Sequence, residues 1–287
     1  MQSNIFICYL KEFRIHHWVK NLLILFPLIF AGNIRNIQLG KQALIVFGLF
    51  SLLASVVYLL NDILDVKQDR LHTNKKNRPI AQGLISMKSA LSVHVILLTV
   101  SMVGAFVYSG KQVFGLFLVY YLANLAYSLV LKKYPPIDIV FVALFYLLRP
   151  IIGAVAIAVP VSNWLILTTF FAALYLVALK RYAELASIKD SKIVTRHCIE
   201  QYTLDSLRTI GFLGLTVAIV SYGLYASTFP HLFIITIIPL TALGLRFVLL
   251  LDQENTIFEN PEVLIFKDRV AIILFTLWLI MVVYYHW

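Results

Sequence analysis

Charge is what this sequence has least of. Asp, Glu, Lys and Arg supply 13% of its 287 residues, about half the share of a soluble globular domain. A chain that is also 61% hydrophobic has the bilayer as its expected solvent. Acids are scarcer than bases, 14 against 24, for a net charge of +10. That excess suits basic loops lying on anionic lipid head groups, and no nucleic acid is expected as a partner. Cysteine is nearly absent. Cys8 and Cys198 form no disulfide framework, and neither has metal-site spacing. Short-period repeats and low-complexity linkers are missing too, so the chain reads as one integral membrane domain over residues 1–287. No cleavable signal peptide is expected. Lys11, Glu12, Arg14 and Lys20 crowd the start, and the apolar run after them is long enough to stay in the membrane.

What the sequence has in quantity is long apolar runs. Segments of roughly 17–25 such residues recur, each able to span about 30 Å of hydrocarbon as a helix; barrel strands would alternate over about ten residues instead. The predicted spans are 22–38, 43–60, 90–108, 113–131, 137–158, 164–179, 208–226, 232–250 and 269–286. The fold class is therefore an all-α integral membrane bundle of about nine helices, with termini on opposite sides. Arg35, Lys41, Lys111 and Arg149 apart, every Lys and Arg falls on one set of connections and helix ends. The positive-inside rule makes that side cytoplasmic, with the N-terminus and residues 1–20 at its interface. All the acids lie on the same side. Acids do not set topology, so either a functional site gathers them there or the opposite connections are too short to hold polar residues.

The stretch Asn61–Gly83, "NDILDVKQDRLHTNKKNRPIAQG", concentrates charge of both signs at the end of a span. On a helix at about 100° per residue, Asn61, Asp65, Asp69 and Asp62 fall at about 0°, 40°, 80° and 100°. Three carboxylates that close repel unless a cation lies among them. Hard oxygen ligands suit Mg²⁺, which binds through one or two carboxylates plus substrate phosphates. The pattern predicts a metal–diphosphate site with Asn61, Asp62, Asp65 and Asp69 as ligands and Arg78 on phosphate oxygens. The plainer alternative is a solvated helix end whose acids pair with Lys67, Arg70 and Lys75.

A second cluster, "LKRYAEL", places Lys180, Arg181 and Glu184 at the spacing of Asn61, Asp62 and Asp65. Two cations and an acid can bind an anion and touch a metal, or form an ordinary Lys180–Glu184 helix pair. Further candidates on this side are Lys20 and Asn21, Tyr127, Ser128 and Lys132, and Arg196, Tyr202 and Arg208, with lipid head groups as their plainer partners. Trp18 reads as an interfacial belt residue. Arg149 lies near mid-membrane, where a charge costs ~2.5–3.5 kcal/mol even on the lenient scale. It must face a cavity or a partner, whether for function or as a tie to backbone carbonyls near Pro150.

"NDILDVKQD" resembles the N-D-x-x-D-x-x-x-D motif of the UbiA superfamily of intramembrane prenyltransferases. The resemblance implies a nine-helix fold, Mg²⁺ and a cytoplasmic site that handles a diphosphate. Common members carry a second motif, D-x-x-x-D; here Lys180 stands at its first acid and Glu184 at its second. "HHWVKNLLILFPLIFAG", "NLAYSLVLKKYPPIDIV", "LKRYAEL" and "RFVLLLDQENTIFENPEVLIFKDR" extend the resemblance over most of the chain. They resemble the superfamily's decaprenyl-phosphate phosphoribosyltransferase branch, although His17 stands where that branch usually has Gln. That branch moves 5-phosphoribose from phosphoribosyl diphosphate (PRPP) to a polyprenyl phosphate, giving a lipid for cell-envelope glycan synthesis. The resemblance implies Asp62, Asp65, Asp69 and Glu184 as catalytic residues. It implies Lys20, Asn21, Arg78, Tyr127, Lys132, Lys180, Arg181 and Tyr182 on the substrates, with 61–89 and 180–207 as active-site loops. PRPP, polyprenyl phosphate and membrane lipids are the expected partners, and a homo-oligomer is compatible. Prenyl transfer to an aromatic or other acceptor is the nearest alternative. A transporter would want more ionisable residues at mid-membrane than Arg149.

Overall fold

The computed structural model describes residues 5–71, 75–191, 198–229, 231–253 and 267–286. Every regular element among them is helical. A short helix α1 (Ile5–Glu12) leads into a 3₁₀ stretch, Ile15–Leu25, and α2 (Phe26–Phe30). Then come α3 (Ile37–Leu64), α4 (Val66–Leu71), α5 (Met87–Leu129), α6 (Ile137–Ala156) and α7 (Asn163–Ser191). The order closes with α8 (Leu204–Ala226), α9 (Ile237–Gln253) and α10 (Arg269–His286). Seven stretches among the described residues are long and apolar enough to cross a membrane, and Ile15–Phe30 is a shorter apolar one.

The differences from the predicted spans have local causes. The first span is not a regular α-helix over 22–38; it begins at Ile15, and Asn36 already caps α3 by accepting from the Gln38 and Leu39 amides. The two predicted spans over 90–131 are kept: both fall within α5, where two helices meet across a kink at Gly110, with φ 80° and ψ −180°. Only glycine takes that backbone cheaply. The helix expected to carry all of Asn61–Asp69 stops at Leu64, with Asp65 as its C-cap, and restarts as α4. The amides of Asp65 and Asp69 still bond the carbonyls four residues back, which keeps the helical register. Residues 180–191, expected as loop, continue α7. Residues 192–197 and 254–266, with Arg196 and most of the C-terminal resemblance, lie outside the described residues.

The core is aromatic where α3, α5 and α6 meet: Phe50 packs on Phe117 and Tyr120, and Tyr120 on Phe145. A Cβ on Gly153 of α6 would sit 2.0 Å from the Ile24 carbonyl oxygen. The bare glycine is what lets the 3₁₀ stretch lie directly on α6 and enter the bundle beside α3. Among the described residues the most extensive helix pairing is α7 with α8, where Gly214 meets the backbone of Phe171 and Tyr175.

Candidate active site

The acidic motif at the end of α3 is held by cations from three other segments. Asp62 is 2% exposed. Its two oxygens accept from Arg14 Nη2 at 2.6 and 2.8 Å, and Oδ1 also accepts from Arg78 Nη1 at 2.8 Å. The same Nη1 donates to Asp69 Oδ2 at 2.5 Å. Lys132 Nζ donates to both oxygens of Asp65 at 3.1 and 3.2 Å, and Ser128 donates to Asn61 Oδ1 at 2.5 Å. The predicted arc is therefore split. Asp62 and Asp69 turn toward the N-terminal segment and Arg78, whereas Asn61 and Asp65 turn toward the end of α5. Among the described residues no ion pair joins Lys67 or Arg70 to these acids; Arg70 donates to the Ala81 carbonyl and fastens the following loop.

Two residues that sequence reasoning missed complete this side. Arg14 reaches Asp62 across 48 positions from a left-handed backbone, φ 48° and ψ 51°, with its guanidinium 5.0 Å from the Tyr58 ring centre. Glu12 is 1% exposed, accepts from the Ile80 amide at 2.9 Å and lies beside Asp62. Burial, then the neighbouring Asp62, pushes its carboxyl up to about 8. Burial also raises Asp69, opposed by Arg78. Only an acid and a base at the start of an oily chain hinted at Glu12 and Arg14. These groups open on a cavity of about 290 Å³, whose walls include Lys11, Glu12, Arg14, Asp62, Lys75 and Arg78.

The second motif forms a buried network. Arg181 donates from Nε to Asp138 Oδ2 at 3.1 Å, from Nη1 to Glu184 at 2.6 Å and from Nη2 to the Tyr127 hydroxyl at 3.3 Å. Asp138, wholly buried, also accepts from the Tyr202 hydroxyl at 2.6 Å. Tyr202 was expected near a phosphate but instead pins the start of α8 to α6, and burial beside Asp138 raises its hydroxyl. Asp138 was noticed only as the start of a span. Tyr182 lies under the Arg208 guanidinium at 5.8 Å. Lys180 is half-buried on α7, one position before Arg181. Consecutive residues of α5 join the two motifs, since Tyr127 touches Arg181 and Ser128 touches Asn61.

Asn21 is buried inside the bundle rather than at a mouth. Its amide donates to Ser51 at 3.0 Å, and its oxygen accepts from Arg149 Nε at 2.9 Å. Arg149 also donates to the Phe145 carbonyl. Its guanidinium lies 5.2–5.7 Å from the ring centres of Phe50, Tyr120 and Tyr146. The mid-membrane charge is thus a tie, satisfied by neutral oxygens and aromatic faces. Lys20 Nζ lies 5.7 Å from the Tyr146 ring centre. Trp18 is more than a belt residue, because its indole donates to Ser55.

The atoms that Asp62, Asp65 and Asp69 can offer a metal are carboxylate oxygens, and Asn61 adds an amide oxygen, which suits a hard divalent cation. No group of three His, Cys, Asp or Glu among the described residues forms a cage by itself. The arrangement suits a metal that shares its shell with substrate phosphates, as Mg²⁺ usually does.

The UbiA prenyltransferase family matches residues 22–257. The chain belongs to that family. It is an enzyme of the transferase class and an integral membrane protein. It is 36% identical over 278 residues to decaprenyl-phosphate phosphoribosyltransferase of Mycobacterium tuberculosis H37Rv, covering 94% of this chain and 91% of that one. To the protein of the same name from Corynebacterium glutamicum it is 30% identical over 284 residues, covering 96% and 85%. The fold is similar to that of a UbiA homolog from Archaeoglobus fulgidus bound to GPP and Mg²⁺, with TM-score 0.69 and 17% identity over 97% of this chain and 98% of that one.

Proposed function

We propose that this enzyme transfers 5-phosphoribose from PRPP to a polyprenyl phosphate, releasing diphosphate. The observation that carries the reading is the near whole-chain similarity to relatives named for that reaction. The charge of the site supports it. Arg14, Arg78 and Lys132 converge on the acidic motif, and Lys180 stands on α7 where a prenyl-diphosphate user of this family commonly has an acid. A donor with a diphosphate and a separate monophosphate, meeting an acceptor with a third phosphate, needs that much cation. The whole chain acts as one unit in the inner or plasma membrane, with the N-terminus and active site cytoplasmic.

Lys132 holds the diphosphate, Arg78 takes a phosphate oxygen of the donor, and Lys20 and Lys180 hold the acceptor's phosphate. Glu184, kept in place by Arg181, is offered to the ribose hydroxyls. Asn61, Asp62, Asp65 and Asp69 would hold Mg²⁺, which when bound neutralises charge on the departing diphosphate. The acceptor's phosphate oxygen is already an anion at neutral pH, so its attack at ribose C1 needs no general base from the protein. Positioning and fixed charge carry the rate. Asn21 and Arg181, expected on substrate, act here through the residues they hold.

The test incubates membranes containing the protein with labelled PRPP, polyprenyl phosphates of several chain lengths and Mg²⁺. Label in the lipid fraction is the expected result. No transfer at any chain length, together with prenyl transfer from a prenyl diphosphate, would overturn the reading in favour of an ordinary prenyltransferase.

A further inference from the structure

We propose that the cavity between α1, the end of α3 and residues 75–79 binds the 5-phosphate of the donor, with Lys11 and Arg14 as its cationic walls. The inference rests on the phosphoribosyl reading and assigns the end of the donor that a prenyl diphosphate lacks.

Size and lining select the occupant. At about 290 Å³ the cavity is at the lower end of small-molecule sites, which suits a sugar phosphate. Pro79 is the only apolar residue among its described walls, so a polyprenyl tail would bury little apolar surface there. Four cations face two acids around it, Lys11, Arg14, Lys75 and Arg78 against Glu12 and Asp62.

The bonding pattern leaves the arginines able to take an anion without releasing the acids. Arg14 uses only Nη2 on Asp62, and Arg78 only Nη1 on Asp62 and Asp69. The guanidinium fork has five N–H donors, so Nε and the second terminal nitrogen of each lie outside those bonds. Asp62 works as an internal bracket that sets both guanidiniums at the cavity wall. The left-handed backbone of Arg14 is a second, independent sign. Such a conformation in a residue with a side chain costs about 1–3 kcal/mol and persists where the surroundings over-determine it, often at ligand clamps. Here it turns the chain from α1 into the 3₁₀ stretch while aiming Arg14 back at Asp62. The second phosphate-bearing end of the donor then belongs on the opposite side of the motif, where Lys132 meets Asp65.

The experiment compares two competitors of labelled PRPP, ribose 5-phosphate and inorganic diphosphate, on wild type and Lys11→Gln. Lys11 is an exposed wall residue, so the variant should fold. The expected result is that the inhibition constant of ribose 5-phosphate rises about tenfold, the size of one charge-assisted hydrogen bond. That of diphosphate should change less than about twofold on the same scale. Equal changes for both competitors, or none for either, overturn the proposal. If wild type transfers nothing from PRPP, the functional reading fails on its own. Direct calorimetric binding of ribose 5-phosphate to wild type and Lys11→Gln then decides the cavity: weaker binding to the variant supports it, and equal or absent binding to both refutes it.

Discussion

Replacing Asp138 with Asn asks how much of the second motif is architecture. Asp138 is wholly buried and accepts from Arg181 Nε and the Tyr202 hydroxyl. An amide can keep one acceptor for Tyr202, but its NH₂ then faces the Arg181 N–H, donor against donor. Removing one member of a buried ion pair costs about 3–5 kcal/mol, because the remaining charge stays desolvated. Glu184 remains bonded to Arg181, and its side chain is 25% exposed, so the lower end of that range applies. At about 2–4 °C per kcal/mol, Asp138→Asn should lower the thermal midpoint by roughly 6–12 °C. Tryptophan fluorescence of the detergent-purified protein would read it. The double variant Asp138→Asn/Arg181→Met should lose less than the sum of the singles, with a coupling of about 2–3 kcal/mol. A midpoint shift under about 2 °C, or additive singles, would refute the assignment. Activity adds a separate readout. If Arg181 acts through Glu184 and Tyr127, Arg181→Met should impair transfer well below its melting temperature.

Three other perturbations test separate parts of the structure. Asp65→Ala should reduce transfer by at least about 10²-fold with little change in melting, since its side-chain partner among the described residues is Lys132, in a partly exposed ion pair; full activity in the radiolabel assay refutes the metal-site assignment. Gly153→Ala would drive a Cβ to 2.0 Å from the Ile24 carbonyl oxygen, beyond what a side-chain shift can relieve. The expected cost is at least the ~1–3 kcal/mol of ordinary overpacking, read as a lower midpoint, and an unchanged midpoint would disprove that close approach. Glu12 is pushed up to about 8 in the fold against 4.5 for an ordinary carboxyl, so between those values the folded state holds a proton that the unfolded state has lost. Its contribution to stability is complete below about 4.5, falls as pH rises and is gone above about 8; Glu12→Gln should flatten the decline between pH 5 and 8, and parallel wild-type and variant profiles would count against the buried acid.

The bundle was legible because hydropathy over 20 residues is a strong signal and the bilayer leaves helices few alternatives. The failures lie where polarity and backbone geometry separate. "LKRYAEL" has helical spacing but ends an apolar run, which puts it in the predicted connection 180–207; α7 continues through it, since Asp138 and Tyr127 bury the charge that Arg181 brings. The predicted spans 90–108 and 113–131, by contrast, are two helices, and one permissive backbone position, Gly110, makes the kink between them. The 3₁₀ course of Ile15–Leu25 had no periodic signature, because packing of Ile24 against Gly153 is what shapes it.

For the site, spacing found the donors but not their partners. Helical geometry placed Asn61, Asp62, Asp65 and Asp69 on one arc without revealing that Arg14, Arg78, Ser128 and Lys132 divide it. Three of those partners lie 48 to 67 positions away for the residue each touches, beyond any local pattern. Why the stretch carries both signs follows from burial. Asp62 at 2% exposure and Asp69 at 3% could not remain ionised alone, since an unpaired buried carboxylate shifts toward its neutral form. Cations from the N-terminal segment and the 75–79 turn are paired with Asp62 before any substrate arrives. Their unused N–H donors can then take phosphate while the acids hold still. Such a site reorganises little during the reaction, and fixed charge that need not reorganise is what catalysis by electrostatics requires.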